Sequence, residues 1–339
     1  MMKINLSKSK DKIVIPEESY LEDAFEGCPF CGSRSLKYIG NLHPSPDIMI
    51  HTNFLNIIGT ILSNRPTLDI KIYTCNNCHI GFFNPQPTEK FLKEFYTNYD
   101  MVDNTRKKID PRRLASHLIK YLGNLSPRET FRILDFGGGD GAVSRCLGQY
   151  LLSFGIAKKI NISVVDYHPI SDSRENSISQ YSFETLDLIP LSDEFDIVIA
   201  SAILEHLKNP RQIVSSLLQK MKKQGIFYAR TPYTFPFYKG FKKLGITFGM
   251  PYPAHLFDMG SYFWSDLLKT LNLSADFRMK ESHTSLVHAE FRKNPLLTIL
   301  SHLVKLPSYL LGKWYPFSGG WEVLIERKSL NTEPNNSDA

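Results

Sequence analysis

Four of the five cysteines in this 339-residue chain form two C-x-x-C pairs, Cys28 with Cys31 and Cys75 with Cys78. Each pair lies on a short turn that can aim two sulfur atoms at one point, and four thiolates bind Zn²⁺ tetrahedrally at about 2.3 Å. The pairs therefore predict a structural zinc site with all four positions filled, which stabilises the N-terminal region and takes no part in a reaction. Disulfides are the alternative, but a cytoplasmic chain keeps its thiols reduced.

The surroundings of the two pairs refine this prediction. His79 follows Cys78 directly, but four thiolates already complete a structural site, so we do not expect His79 to be a ligand. The interval between the pairs is longer than in compact zinc ribbons, which predicts that residues 40–70 form an excursion between the two halves of the site. Cys146 is left over and has no partner cysteine in this pattern.

A glycine-rich turn, FGGGDG, directly follows an apolar run that ends at Asp135. Glycines at 137, 139 and 141 permit positive φ and let a ligand approach the main chain at the end of a strand. The glycines alone also fit a dinucleotide-binding turn, G-x-G-x-x-G/A, in which Ala142 takes the last position. Asp135 favours another ligand, because a carboxylate repels a pyrophosphate but can pair with the cationic amino-acid end of S-adenosylmethionine.

The elements that must position these residues alternate between strands and helices. Strands are predicted at 132–136, 161–166, near 182–186, 195–200 and 225–230. Helices at 141–152 and 209–222 lie between them, with only a short irregular crossover before the third strand, and this rhythm predicts a parallel, doubly wound α/β sheet. Two helices are expected before the sheet, one capped by Thr88 and one at 111–123. A helix at 261–271 and two strands, near 278–289 and at 319–327, are expected after it.

These elements divide the chain into five parts. They are a tail, a zinc-binding module, a helical connector, a Rossmann-like domain and a polar second tail, at 1–20, 21–90, 91–125, 126–328 and 329–339. The net charge of +6 is mild for this length, and it permits an anionic partner without requiring one. The N-terminus lacks the pattern of a signal peptide, and we find no run of about 18 apolar residues. We therefore expect a globular, cytoplasmic protein.

Over roughly residues 125–330 the chain resembles the class I S-adenosylmethionine-dependent methyltransferases, through ILDFGGGDG, ISVVDYHP and DEFDIVIASAILEHLKNP. The resemblance implies that the glycine turn with Asp135 holds the methionyl part of the cofactor. It further implies that Asp166 binds the ribose hydroxyls, that Tyr167 lies beside the adenine and that Asp187 contacts it. The spacing between Asp187 and Pro190 is shorter than is usual in the family, which leaves the adenine contact open.

The N-terminal part carries a narrower resemblance. A C-P-x-C and C-x-x-C module, followed by an N-P-x-P turn and a helix bearing Tyr96, is similar to zinc-binding methyltransferases of sugar, polysaccharide and natural-product biosynthesis. This implies a small-molecule acceptor such as a saccharide, methylated on carbon, oxygen or nitrogen.

Methyl transfer requires alignment of donor and acceptor, and a base only if the acceptor must lose a proton. His206 follows the predicted strand 195–200, where doubly wound sheets bind ligands, and is our leading general base. The alternative is that Glu205 and His206 only pack or begin a helix. Some ubiquinone-pathway relatives bind a metal through an acid at the position of Ala202, so we expect no catalytic metal here.

The segment 231–260 is dense in aromatic and basic residues, and we predict that it forms a substrate cap without a regular helix or strand. His255 and Tyr233 are further candidate catalytic residues in this segment, and Tyr233 and Tyr252 are expected to line the acceptor site. The alternative is a lid that packs on the core with its lysines in solvent.

The apolar stretch 293–317 predicts a buried pair of helices bent at Pro307. Its leucines with Lys305, Lys313 and Trp314 also fit contact with a membrane surface, which we regard as the alternative.

Two other functions fit parts of the sequence. Four-cysteine modules also precede the catalytic domain of enzymes that methylate ribosomal RNA, where the zinc domain binds nucleic acid. Residues 1–90 hold few clustered arginines, however, so we do not expect a nucleic-acid partner. A protein that binds the cofactor without turnover is the other possibility, and the intact pairing of Asp135 with the glycine turn argues against it.

Overall fold

The computed structural model describes residues 21–42, 70–102, 110–122, 125–167, 171–246, 248–287 and 295–329. Most of the predicted excursion at 40–70 and nearly all of both predicted tails lie outside these residues. Within the described ranges, we find no helix that is long and apolar enough to cross a membrane.

Twelve strands of the described residues form two sheets. The small sheet has the order β1-β2-β3-β10, and its strands are β1 (Leu36–Leu42), β2 (Ile70–Cys75), β3 (Gly81–Asn84) and β10 (Phe257–Asp258). The large sheet contains β4 (Arg128–Phe136), β5 (Ala157–Val165), β6 (Ser173–Glu175), β7 (Ile178–Phe183), β8 (Phe195–Ser201), β9 (Met221–Tyr233), β11 (Phe277–Thr284) and β12 (Gly319–Arg327). Its order is β11-β12-β9-β8-β4-β5-β7-β6.

Seven α-helices accompany the sheets in the described ranges. They are α1 (Glu89–Val102), α2 (Pro111–Leu122), α3 (Ala142–Ser153), α4 (Pro210–Gln219), α5 (Phe235–Lys243), α6 (Ser261–Thr270) and α7 (Pro295–Leu311). Helix α2 illustrates how the local sequence specifies where a helix begins and which side is buried. The carboxylate of Asp110 accepts a hydrogen bond from the Arg112 amide at 2.9 Å and caps the helix, and proline is favoured in the first turn. Leu114, Leu118 and Leu122 then lie on one buried face.

The central strands are parallel, from β7 through β5, β4 and β8 to β9, and β12 and β11 continue the sheet antiparallel. Strands buried on both faces must be apolar almost throughout, as in the run from Phe195 to Ala200. Helices α2 and α3 cover one face. Helices α1, α4 and α6 cover the other in one hydrophobic cluster with Cys28, Cys75 and Cys78. The doubly wound Rossmann-like fold is therefore confirmed, and the cysteine module packs directly on it.

Several predicted boundaries were wrong because tertiary pairing overrides local patterns. Helix α4 ends at Gln219, since the Lys220 carbonyl accepts a hydrogen bond from the Phe195 amide and Met221 pairs with Phe195 in the sheet. The short crossover that we expected to be irregular contains β6, which pairs antiparallel with β7. Strand β7 occupies 178–183 rather than 182–186, because its register follows β5.

Two larger expectations were also wrong. The segment 231–260 contains the end of β9 and helix α5, whose first turn is capped by Asp258 through hydrogen bonds from the amides of Thr234 and Phe235. In the stretch 293–317, the described residues 295–317 contain one α-helix, α7, with Pro307 inside it, rather than a bent pair. A proline removes a single backbone donor, and here the helix continues through it. Most of the apolar side chains of α7 are exposed rather than buried.

Candidate active site

The glycine-rich turn leaves β4 and enters α3, at the carboxyl edge of the parallel strands. Gly137, Gly139 and Gly141 all have positive φ, between 58° and 72°, which side-chain-bearing residues rarely adopt. A Cβ on Gly138 would lie 2.4 Å from Cγ of Asp135, so this glycine is needed for packing. A Cβ on Gly139 would meet no atom within 4 Å. Gly139 therefore borders open space, as a ligand in contact with the main chain requires.

Asp135 lies beneath this turn and is almost completely buried. Its Oδ2 atom has no hydrogen-bond partner in the described structure. Burial raises the pKa of Asp135 to about 6, since a carboxylate without solvent is costly to ionise, and the nearby charge of Asp166 adds to this. A buried carboxyl oxygen without a partner is rare, and a cationic ligand would satisfy it. The residues of the turn thus fit the amino-acid end of S-adenosylmethionine.

Asp166 follows β5 and lies beside the same turn. Its Oδ2 atom accepts a hydrogen bond of 2.8 Å from the Gly139 amide, so the structure brings together the predicted ribose ligand and the predicted methionyl site. Tyr167 is exposed next to it. Asp187 is exposed on a 3₁₀ turn, Leu186–Leu188. Its negative charge favours the protonated form of Lys220, which lies at the opposite, amino-terminal edge of the strands. The adenine contact by Asp187 remains a prediction.

His206 leaves β8 on a second 3₁₀ turn, Leu204–His206. Its Nδ1 atom lies 2.8 Å from the carbonyl oxygen of Ala254 and 2.8 Å from the hydroxyl of Tyr96. A carbonyl oxygen can only accept, so Nδ1 must carry the proton and Nε2 must be the basic nitrogen. Tyr96 also donates to Ala254 at 2.8 Å, and the two contacts fix the orientation of the imidazole ring. The role of Tyr96 was not predicted, because 110 positions separate it from His206.

Glu205 and His255 complete a cluster around His206. The His206 and His255 rings meet edge to face with centroids 4.7 Å apart, and Nε2 of His206 lies 3.7 Å from Oε1 of Glu205. One potential ligand atom from each of the three side chains lies within 4.8 Å of the others. Burial raises the pKa of Glu205 to about 7, so both the protonated and the ionised carboxyl are populated near neutral pH. The cluster suits proton transfer, and its geometry would also admit a divalent cation.

A cavity of about 500 Å³ opens beside Tyr233, between the cysteine module, α5, α6 and residues 316–317. Aromatic rings line it, and they belong to Tyr233, Phe235, Tyr262, Phe263 and Phe317. Burial raises the pKa of Tyr233 to about 12 and keeps its hydroxyl protonated. Tyr252 does not line this cavity: it is buried against Phe83, with ring centroids 5.2 Å apart, which corrects the expectation for that residue.

The rim of the cavity is basic. Lys37, Lys239 and Lys243 reach it, and none of the three forms an ion pair with a carboxylate of the described residues. Burial lowers the pKa of Lys239, and the positive charges of Lys37 and Lys243 lower it further. Asp258, at the base, is buried with a pKa raised to about 7 by its burial. No sequence pattern indicates Lys37 or Asp258 as site residues, because they come from distant elements.

The four predicted zinc ligands converge. Sγ of Cys28 lies 3.6 Å from Sγ of Cys78, and Sγ of Cys31 lies 3.6 Å from Sγ of Cys75. A disulfide would need about 2.05 Å, whereas four sulfurs at about 2.3 Å from a tetrahedral zinc lie about 3.8 Å apart. The donor set and its spacing therefore fit Zn²⁺. His79 points elsewhere, with Nε2 3.3 Å from the carboxylate of Asp266.

Comparison with known proteins agrees with this geometry. A family model described as a methyltransferase domain matches residues 106–282, just over half of the chain. Malonyl-[acyl-carrier protein] O-methyltransferase of Bacillus cereus is 26% identical over 140 residues, which cover 40% of this chain and 48% of that protein. The mitochondrial ubiquinone biosynthesis O-methyltransferase of Schizosaccharomyces pombe is 30% identical over 96 residues, covering 28% and 35%. The chain thus spans about half or less of these relatives.

Among solved structures, the N-methyltransferase NodS of Bradyrhizobium japonicum, in complex with S-adenosyl-L-homocysteine, is 12% identical with a TM-score of 0.37. The match covers 71% of this chain and 98% of NodS. The strand order and the glycine turn above Asp135 are those of the class I, S-adenosylmethionine-dependent fold. The family match shows that the chain belongs to the methyltransferase-domain family.

Proposed function

We propose that this protein transfers a methyl group from S-adenosylmethionine to a small-molecule acceptor, and that the acceptor carries a saccharide. The observation that carries the proposal is the buried oxygen of Asp135 without a partner, set below a glycine turn that leaves open space at Gly139. A nicotinamide dinucleotide would place a pyrophosphate at this turn, and the negative charge of Asp135 would oppose it.

The cofactor would be held by the two acids at the carboxyl ends of neighbouring strands. Asp135 pairs with the ammonium group of the amino-acid part, and Asp166 accepts hydrogen bonds from the ribose hydroxyls. When bound, S-adenosylmethionine supplies a methyl group already activated by the positive charge of its sulfonium. The protein must therefore align the acceptor and remove its proton, if it has one to lose.

His206 is the residue that we assign to this proton transfer. Its Nδ1–H is engaged by Ala254 and Tyr96, which leaves Nε2 as the nitrogen that takes a proton from an acceptor hydroxyl or amine. Glu205, whose pKa is about 7, lies 3.7 Å from Nε2 and can stabilise the imidazolium once it is ionised. His255 packs against the same ring and completes the site.

The cavity beside Tyr233 is the proposed acceptor site. Its aromatic walls suit the apolar faces of sugar rings, and its three lysines suit an anionic group such as a phosphate. Its volume lies within the range of small-molecule sites, about 300–1,000 Å³. The segment Leu256–Asp258 links the cluster around His206 to the cavity. The Leu256 amide donates a hydrogen bond to the Glu205 carbonyl oxygen, and Asp258 lines the cavity. The cysteine site would hold Zn²⁺ for stability alone.

The test is transfer of labelled methyl from S-adenosylmethionine to pools of phosphorylated or nucleotide-linked sugars, and separately to RNA. We expect label in a sugar pool, and a turnover number lowered about 10²-fold or more in His206→Gln with unchanged affinity for S-adenosylhomocysteine. Tyr233→Ala should lower turnover without changing that affinity, and Tyr38→Phe, an exposed tyrosine change, should match the parent. Label in RNA together with salt-sensitive RNA binding would refute the small-molecule proposal.

A further inference from the structure

Helix α7 has its polar side toward the protein and its apolar side toward solvent, which is the reverse of an ordinary surface helix. Successive residues turn by about 100°, so the exposed apolar side chains span an arc of about 160° on one side. They are Leu296, Ile299, Leu300, Leu303, Val304, Leu306, Leu310 and Leu311. We call this set the apolar face of α7. Trp314 follows it directly, and 70% of its surface is exposed.

The opposite side of α7 is polar and is fastened to the protein. Thr298 and Ser308 are buried, and Nζ of Lys305 donates to the carbonyl oxygen of Ser285 at 2.6 Å. The hydroxyl of Tyr315 donates to the carbonyl oxygen of Val304 at 2.7 Å. These contacts fix the orientation of the helix, so the apolar face cannot turn inward without breaking them. Exposed apolar surface of this extent marks an interaction site.

The charges carried by this part of the sequence indicate what covers the apolar face. From residue 291 to residue 321 the sequence holds four basic residues and no aspartate or glutamate. Lys305 is turned toward the protein, whereas Lys313, next to Trp314, is exposed. Apolar side chains with a tryptophan at the edge and an excess of basic residues suit the interface of a bilayer with anionic lipids. A second copy of the chain would instead bring two basic segments together without a compensating acid.

We propose that the apolar face of α7 and Trp314 dock this protein on an anionic membrane surface, with the helix lying in the plane of the interface. The ring of Trp314 packs on Tyr262 with centroids 6.1 Å apart, and Tyr262 also lines the cavity described above. The docking surface and the cavity therefore adjoin.

Vesicle binding of the intact protein tests this proposal directly. Vesicles of equal parts phosphatidylcholine and phosphatidylglycerol should bind it, and vesicles of phosphatidylcholine alone should bind it more weakly. The double variant Leu303→Glu with Leu310→Glu should partition at least about tenfold less well, because each carboxylate opposes burial in the acyl region. Leu191→Glu is the matched control, since Leu191 is 95% exposed and lies outside α7. It should bind as the parent does.

Tryptophan fluorescence gives a second measurement. The other two tryptophans, Trp264 and Trp321, are fully buried, so a blue shift of the emission and its quenching by brominated lipid report on Trp314. The thermal midpoints of the variants should equal that of the parent, because both leucines are exposed. Equal binding by the double variant, or no binding by the parent, would overturn the proposal. A dimer in sedimentation velocity that the double variant dissociates, without vesicle binding, would instead assign the face to a second copy.

Discussion

Binding of S-adenosylhomocysteine should strengthen as the pH rises through about 6, because Asp135 must ionise to pair with the ligand's ammonium group. Its pKa is raised from the usual 3.8 to about 6, so ionisation costs about 3 kcal/mol more than in water. A raised pKa means that the free protein holds the proton below pH 6 and loses it above. About one tenth of Asp135 is ionised at pH 5 and about nine tenths at pH 7, which predicts an affinity increase of about tenfold.

Isothermal titration calorimetry between pH 5 and pH 8 measures this increase, and the protons released near pH 6 can be counted in buffers of different ionisation enthalpy. Asp135→Asn should bind about tenfold more weakly at pH 7, by loss of a charge-assisted hydrogen bond, and should lose the pH dependence. Asp140→Asn is the control, since Asp140 lies in the same turn with an exposed side chain and should keep the full increase. A parent affinity that is flat from pH 5 to pH 7 would refute the reasoning, because an acid with a pKa near 3.8 is already ionised at pH 5.

Three further results are expected. Purified protein should contain about one zinc per chain by metal analysis. Cys75→Ser should lose the metal and unfold at a lower temperature, whereas Cys146→Ser should keep the metal, and a zinc-free parent would contradict the assignment. Gly139→Val should weaken binding of S-adenosylhomocysteine at least about a hundredfold, because the side chain would occupy the open space and strain a φ of 58°; unchanged binding would exclude that space as the cofactor site. Tyr96→Phe should lower turnover less than His206→Gln does and should shift the pH profile of turnover, since it removes one of two contacts at Nδ1; an unshifted profile would argue against this positioning role.

The central part of the fold could be predicted from the sequence because its signals are local. An apolar run that ends at Asp135, followed by glycines, which adopt positive φ more readily than other residues, specifies a strand, a turn and a helix without reference to the rest of the chain. The C-x-x-C spacing likewise predicts metal binding by thiolates. The boundaries of α4 and β9 could not be predicted, since the pairing of Phe195 with Met221 decides them.

Contacts between positions that are far apart in the sequence were decided only by the tertiary structure. The tautomer of His206 depends on Tyr96 and Ala254, which three separate elements bring together. Which side of α7 faces the protein depends on the hydrogen bonds that its polar side makes. The leucine pattern alone predicts an amphipathic helix but not which side meets the protein, because periodicity records the separation of polar and apolar residues and carries no information about what lies on either side.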